Sequence, residues 1–342
     1  MDILTETKIA RFALTALVAI LLLCGPVSCA SRVDNSAPPV APGQAVAQDK
    51  PANPGPDRTE QESTEKLSGY RTPAEYLFIP SRHYPKPVVA VALPLDYKTS
   101  PDKKYPLVIA FGGMGECMKP PQQGSLAWID YYKADEAVVA LANGRLSTPD
   151  FRGLVTERQL EDFNARLQGC PYDGIILACP YSPVLKPGEV LEFPDYEAFV
   201  IKELVPALKR RYRVAAGKIG VDGVSMGGAR SMYYGFKYPE IFASIGSVQG
   251  AFGPWIKVYK DLVRKNRDKL KGMPIQLVTS DRDHMATSVA NMHRILKDEG
   301  ITHRYMMLTG PHDYIFNQGP GSLALLVFHN QALRRRAQGP VK

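Results

Sequence analysis

The sequence predicts an α/β fold: one mainly parallel central sheet with helices on both faces, in a single domain. Three observations predict it. From residue 105 onward, short apolar runs alternate with amphipathic stretches at helical spacing, the pattern of successive βα units. Runs such as Val88–Leu93 lack the polar alternation of a half-exposed strand, as expected of strands buried on both faces. No internal repeat and no second apolar core interrupts the order. A hydrophobic content of 45% over 342 residues is ample for one large core.

Residues 1–30 read as an export signal. Lys8 and Arg11 precede a nearly all-apolar stretch, Phe12 to Gly25, of 14 residues. A bilayer span needs about 20, so the length fits the apolar part of a signal peptide. Two processing readings compete. Ser28-Cys29-Ala30 carries small residues suited to cleavage after Ala30. Val27-Ser28-Cys29 instead resembles a bacterial lipoprotein box, with Cys29 lipidated as a membrane anchor, although Pro26 stands where Leu is usual. We favour the second reading; both require export, to the periplasm, the membrane or the medium. Residues 31–70 are rich in Pro, Ala, Gln and acidic residues without apolar periodicity, which predicts a disordered linker. The folded domain is then residues 71–342.

Within it, Tyr76–Ile79 and Val88–Leu93 are expected as strands in an antiparallel start. Tyr105–Phe111 is a buried strand that runs into Gly112-Gly113-Met114-Gly115. Helices follow over Ala127–Ala142 and, less clearly, Glu157–Leu167. Gly174–Cys179 is the next strand, and Asp195–Arg211 a strongly amphipathic helix with Phe199, Leu204, Val205 and Leu208 on one face. Strands at Ile219–Asp222, Ala243–Val248, Pro274–Thr279 and His303–Leu308 alternate with helices from Met226, over Trp255–Lys271, Thr287–Glu299 and Leu323–Arg336. Cys179 is expected to be buried, whereas Cys117 and Cys170 fall in predicted loops and are a candidate disulfide in an oxidising compartment.

The net charge is +8. Nucleic-acid binding needs a patterned basic patch. The densest basic run, Lys257–Lys271, is interleaved with Asp261, Leu262, Val263 and Asp268 and reads as an amphipathic surface helix. No His/Cys/Asp group has metal-ligand spacing, so no metal or organic cofactor is expected.

The chemistry gathers at Gly223-Val224-Ser225-Met226-Gly227, a G-x-S-x-G between a predicted strand and a predicted helix. A serine on such a turn has an exposed hydroxyl, and the flanking glycines remove side chains that would clash. Random placement would give about 0.1 such pentapeptides in this composition, so the strand–turn–helix context carries much of the weight. A serine hydroxyl is a poor nucleophile without an adjacent base. In a parallel sheet the loops after the strands meet at one edge. His312, in Gly310-Pro-His-Asp-Tyr314 after the last strand, is at that edge; His284 is in a suitable loop but directly follows a better candidate for a different role, and His83, His293, His303 and His329 are not at that edge. The carboxylate that orients the base is sought in Thr279-Ser-Asp-Arg-Asp-His284, where Asp283 is preferred to Asp281; Asp313 cannot easily fold onto its neighbour's ring. Two backbone N–H groups must hold the oxyanion. Met226, after the serine, is one; Gly113 is the first choice for the other and Met114 the second.

These residues resemble the putative esterase family of the α/β-hydrolases, the group of esterase D, feruloyl and acetyl xylan esterases and enterochelin esterase. The resemblance spans about residues 85–335. It is carried by Tyr196–Arg211, by Gly220-Val-Asp-Gly-Val-Ser-Met-Gly-Gly228 and by Tyr238-Pro-Glu-Ile-Phe-Ala243. It implies the α/β-hydrolase fold, a Ser225–His312–Asp283 triad and an ester substrate, either small or polysaccharide-linked. Phe111 stands where many relatives have His, and Cys117–Gln168 matches poorly. The expected activity is carboxylic ester hydrolysis through an acyl-enzyme. The alternatives are an acyltransferase with the same triad and a catalytically silent envelope-binding module.

Overall fold

The computed structural model describes residues 62–184 and 193–335. The leader, Cys29 and most of the linker lie outside the described residues. Among the described residues, no helix is long and apolar enough to cross a membrane.

Nine strands form one sheet in the order β1-β2-β3-β5-β4-β6-β7-β8-β9. β1 (Ser63–Leu67), β2 (Ala74–Phe78) and β3 (Val88–Ala92) pair antiparallel, and β3 is antiparallel to β5 (Ile176–Pro180). β4 (Tyr105–Phe111), β6 (Val214–Gly223), β7 (Ser244–Val248), β8 (Ile275–Arg282) and β9 (Arg304–Pro311) run parallel with β5. The mainly parallel sheet and its antiparallel start are therefore as expected. β1 is a correction, because it falls inside the stretch read as linker. Its sequence, STEKL, is polar and mostly exposed. Such a strand is held by backbone pairing to β2, which leaves no apolar signal to read.

Side-chain alternation along the sheet sends alternate residues to two cores. Leu107, Ile109, Val221, Ile245 and Leu277 face one side, under the helical run 194–211, α5 (Met226–Lys237), α6 (Ile256–Lys265) and α7 (Ala286–Asp298). We number that run α4, with α1 (Met114–Cys117), α2 (Ala134–Ala142) and α3 (Glu157–Gly169) before it. Val108, Ala110, Leu177, Val248 and Val278 face the other side, under α2, α3 and α8 (Ser322–Arg335). The expected helix 127–142 is broken. Ala127–Tyr131 is a wider π turn, and Lys133 takes a left-handed φ of 51° before α2 begins. The expected helix 255–271 likewise stops at Asn266 and restarts as Arg267–Leu270.

Cys117, Cys170 and Cys179 are all free thiols. The expected pairing of Cys117 with Cys170 is thus not made. Cys117 is inside α1, buried, with its sulfur 3.3 Å from Ser182 Oγ. Cys170 caps the far end of α3, beside Asn330.

Candidate active site

Ser225 sits between β6 and α5 with φ 55° and ψ −115°, a backbone region that costs a non-glycine residue of order 1–3 kcal/mol. The turn is over-determined by its neighbours. Val224 N–H donates to Phe111 O at 3.2 Å, and Ser225 N–H to Val248 O at 2.9 Å. Ser225 O accepts from Ala229 N–H at 3.1 Å and Ala251 N–H at 3.0 Å. The elbow is thereby stitched to β4 and to the end of β7. The spacing of glycines has a direct cause: a Cβ on Gly227 would lie 2.3 Å from the Phe111 carbonyl oxygen and 2.6 Å from that of Gly112. Because these are backbone atoms at the end of β4 and in the loop after it, Gly227→Ala is expected to force the elbow away from β4. Thermal denaturation should then show a fall of several degrees or loss of soluble protein, a cost of roughly 2 kcal/mol or more from overpacking.

His312 follows β9 and is largely buried. Its Nδ1 is 2.7 Å from Asp283 Oδ1, and the Asp283 side chain is fully buried. That carboxylate also accepts from Thr279 Oγ1 and from Met285 N–H, both at 2.7 Å. Burial pushes the Asp283 carboxyl up, but the hydrogen bonds from His312, Thr279 and Met285 outweigh it and hold the group below its ordinary value. It therefore stabilises the fold above the ordinary carboxylate range, and that contribution is lost as pH falls through the depressed value.

The other carboxylates of these loops have different partners. Asp281 Oδ1 accepts from Gly310 N–H at 2.9 Å, which fixes the loop that carries His312. Asp313 caps the short helix Tyr314–Phe316 by accepting from Phe316 N–H.

The sheet order puts Ser225, Asp283 and His312 after β6, β8 and β9, at one edge. No hydrogen bond within 3.5 Å joins Ser225 Oγ to the imidazole among the described residues. Contacts between nucleophile and base are commonly long before substrate closes the site.

Gln249 links the two sides and carries no sequence signal. It is buried at φ 50°, next to the Val248 carbonyl that holds Ser225. Its N–H donates to Val278 O at 2.7 Å, and its Nε2 donates to Ser280 Oγ at 2.7 Å and Pro311 O at 3.0 Å. One side chain thus ties the elbow's neighbour to the residue before His312.

The loop expected to hold an oxyanion departs from that expectation at Gly113. Its N–H donates to the Tyr132 hydroxyl at 3.0 Å, so this amide is occupied by a buried phenol. Tyr132 in turn donates to Glu116, a buried carboxylate that also accepts from Tyr314. Burial, and then the negative charge of Glu116, push the Tyr132 phenol far above its ordinary value, so it stays protonated. Met114, the second choice, opens α1, where an amide has no acceptor within its own helix. Met226 is the first residue of α5, directly after Ser225.

Asp283, His284 and His312 are the described residues best placed to hold a metal, with ligand atoms within 4.8 Å of one another. The 28-residue separation of the two histidines hid this from a search by spacing. Asp283 and His312 are, however, already in hydrogen-bond contact, the arrangement of an oriented imidazole rather than of two ligands on one ion.

Residues 182–315 match the family described as putative esterase. No curated protein matches the sequence. A ferulic acid esterase superposes with a TM-score of 0.58 at 15% identity, over 80% of this chain and all of that one. The S-formylglutathione hydrolase of Agrobacterium tumefaciens gives 0.52 at 13%, over 79% and 98%. The fluorophosphonate-binding serine hydrolase F of Staphylococcus aureus gives 0.51 at 10%, over 78% and 98%. The chain has the α/β-hydrolase fold, and its residues 182–315, which include Ser225, Asp283 and His312, are matched to the putative esterase family.

Proposed function

We propose that this protein is a serine hydrolase of carboxylic esters. The observation that carries the reading is a strained serine elbow on the same sheet edge as a His312 imidazole held by the buried Asp283 carboxylate. The match to the esterase family supports it. Ser225 Oγ attacks the acyl carbon while His312 Nε2 takes its proton; Nδ1–H goes on donating to the Asp283 carboxylate, which stabilises the imidazolium. The tetrahedral oxyanion is held by the N–H groups of Met226 and Met114, each worth about 3 kcal/mol in the transition state. His312 then protonates the departing alcohol, leaving an acyl-Ser225. Water, activated by the same imidazole, releases the acid and restores the serine.

A fluorophosphonate probe should label Ser225, as located by peptide mass mapping, and labelling should be slowed while a saturating excess of an activated ester is present. An unlabelled serine in correctly folded protein rules the reading out. Asp283→Asn should lower kcat about 10⁴-fold, because an amide cannot hold the imidazole in the required tautomer. The elbow and sheet should survive this change, so circular dichroism is expected to be unaltered while ester turnover is lost.

The leader residues support placing this hydrolase in the cell envelope, anchored through a lipid on Cys29. Mass spectrometry of the mature N-terminus distinguishes a lipidated Cys29 from a terminus generated by cleavage after Ala30.

A further inference from the structure

Six large apolar side chains are exposed among the described residues: Leu95, Met114, Met118, Met307, Tyr314 and Ile315. Single exposed apolar residues are normal on any surface, but a cluster is not. Four of these six lie on two short segments, one following the end of β4 that packs on the serine elbow and the other following His312. Met114 (54% exposed) and Met118 (72%) belong to the oxyanion loop and the end of α1. Tyr314 (43%) and Ile315 (52%) come directly after His312 and Asp313.

The two segments form one surface. The Tyr314 hydroxyl donates to Glu116 in the middle of α1, and a Cβ on Gly115 would lie 3.2 Å from that hydroxyl. Behind them the rings of Tyr131 and Tyr132 stand 6.3 and 6.0 Å from the Tyr314 ring, and Lys119 Nζ sits over the Tyr131 ring at 4.7 Å. Glu116 is itself buried, so the charge that joins the segments is not presented to a ligand.

Resting on the esterase reading above, we propose that this rim seats an alkyl arm of the ester, so that the substrate is an apolar medium-chain ester rather than a small acetylated sugar. Thioether side chains are unbranched and adaptable, which suits a flexible chain better than one rigid shape. The Tyr314–Glu116 bond fixes the rim before substrate arrives, so little ordering is left to binding. Full burial of a methylene would raise kcat/KM about fourfold; an open rim that covers half of it gives about twofold.

The test is a chain-length series. With p-nitrophenol as the fixed alcohol, kcat/KM is expected to climb about twofold per methylene from acetate to hexanoate; a second series varies the alkyl alcohol on a fixed acetyl group. A climb in either series that flattens in the Met118→Ser/Ile315→Ser double variant supports the rim. Both changed side chains are exposed, so that variant should fold as the parent does. Two flat series, or a climb unaffected by the double variant, overturn it. Binding separates this inference from the catalytic reading. Ser225→Ala protein should bind p-nitrophenyl hexanoate more tightly than the acetate by a similar factor, measured by calorimetry. Chain-dependent binding that disappears with Met118→Ser/Ile315→Ser keeps the rim even if turnover is never found; chain-independent binding removes it.

Discussion

Ser225→Ala is expected to lower turnover of an activated ester such as p-nitrophenyl acetate about 10⁶-fold, with the fold intact. The size of the effect follows from what is removed. The proposed oxyanion amides and binding surface remain, and in triad enzymes such features alone sustain about 10³–10⁴-fold acceleration over water. What disappears is the covalent route, and with it any use for the His312–Asp283 pair. The backbone argument protects the interpretation. Alanine at φ 55° is about as strained as serine, and the elbow is held by main-chain bonds to Phe111 and Val248 that the substitution leaves alone. The melting temperature should therefore stay within a few degrees. A variant that keeps more than a few per cent of wild-type turnover would show that the hydroxyl is not the nucleophile.

The part of this site that sequence reveals is the part built from local geometry. Gly227 can be read because a turn that leaves no room for a Cβ beside two carbonyl oxygens excludes every other residue. His312 and Asp283 can be placed because loops after parallel strands share one edge, so the position after a strand nearly fixes the position in space. What sequence hides are the residues whose role depends on a distant partner. The Gly113 amide looks suited to an oxyanion until Tyr132, 19 residues on, folds beneath it. The left-handed Lys133 and the π turn before it help to place that tyrosine, and neither has a motif. Gln249 is silent for the same reason: its contacts are to β8 and to Pro311. The polar β1 gave no periodic signal, since it contributes backbone hydrogen bonds rather than buried side chains. His329 is the extreme case. In sequence it opens a polar trio, His329-Asn330-Gln331, after an apolar run, and in the fold it is wholly buried under the sheet.

His329→Leu should have the largest effect on stability, about 3–5 kcal/mol, although the residue is remote from the acyl group. Its Nε2 is 3.0 Å from Asp222 Oδ2 and its Nδ1 2.7 Å from Ser244 Oγ, with all three side chains inaccessible. Asp222 Oδ1 also accepts from Gly223 N–H at 2.7 Å, at the start of the serine elbow. Burial pushes the Asp222 carboxyl up, and the hydrogen bonds from His329 and Gly223 oppose this. A leucine removes the larger opponent and leaves a carboxyl that must either ionise unpaired or hold a proton. The sign of the pH dependence follows. In the variant the folded pKa lies further above the unfolded value of about 3.9, so stability is kept below that value and lost as pH rises through the folded one. Urea denaturation should show a larger deficit at pH 8 than at pH 5. Asp222→Asn should be milder, because an amide can still accept from Gly223 and donate to a re-tautomerised imidazole. The two changes together should then cost less than their sum by about 1–3 kcal/mol, the coupling expected of residues in one buried network. Additivity, or a deficit that does not change between the two pH values, would mean that His329 acts by filling space. In that case the Asp222 carboxylate would have to be held by Gly223 alone, a single donor for a buried charge at the base of the elbow.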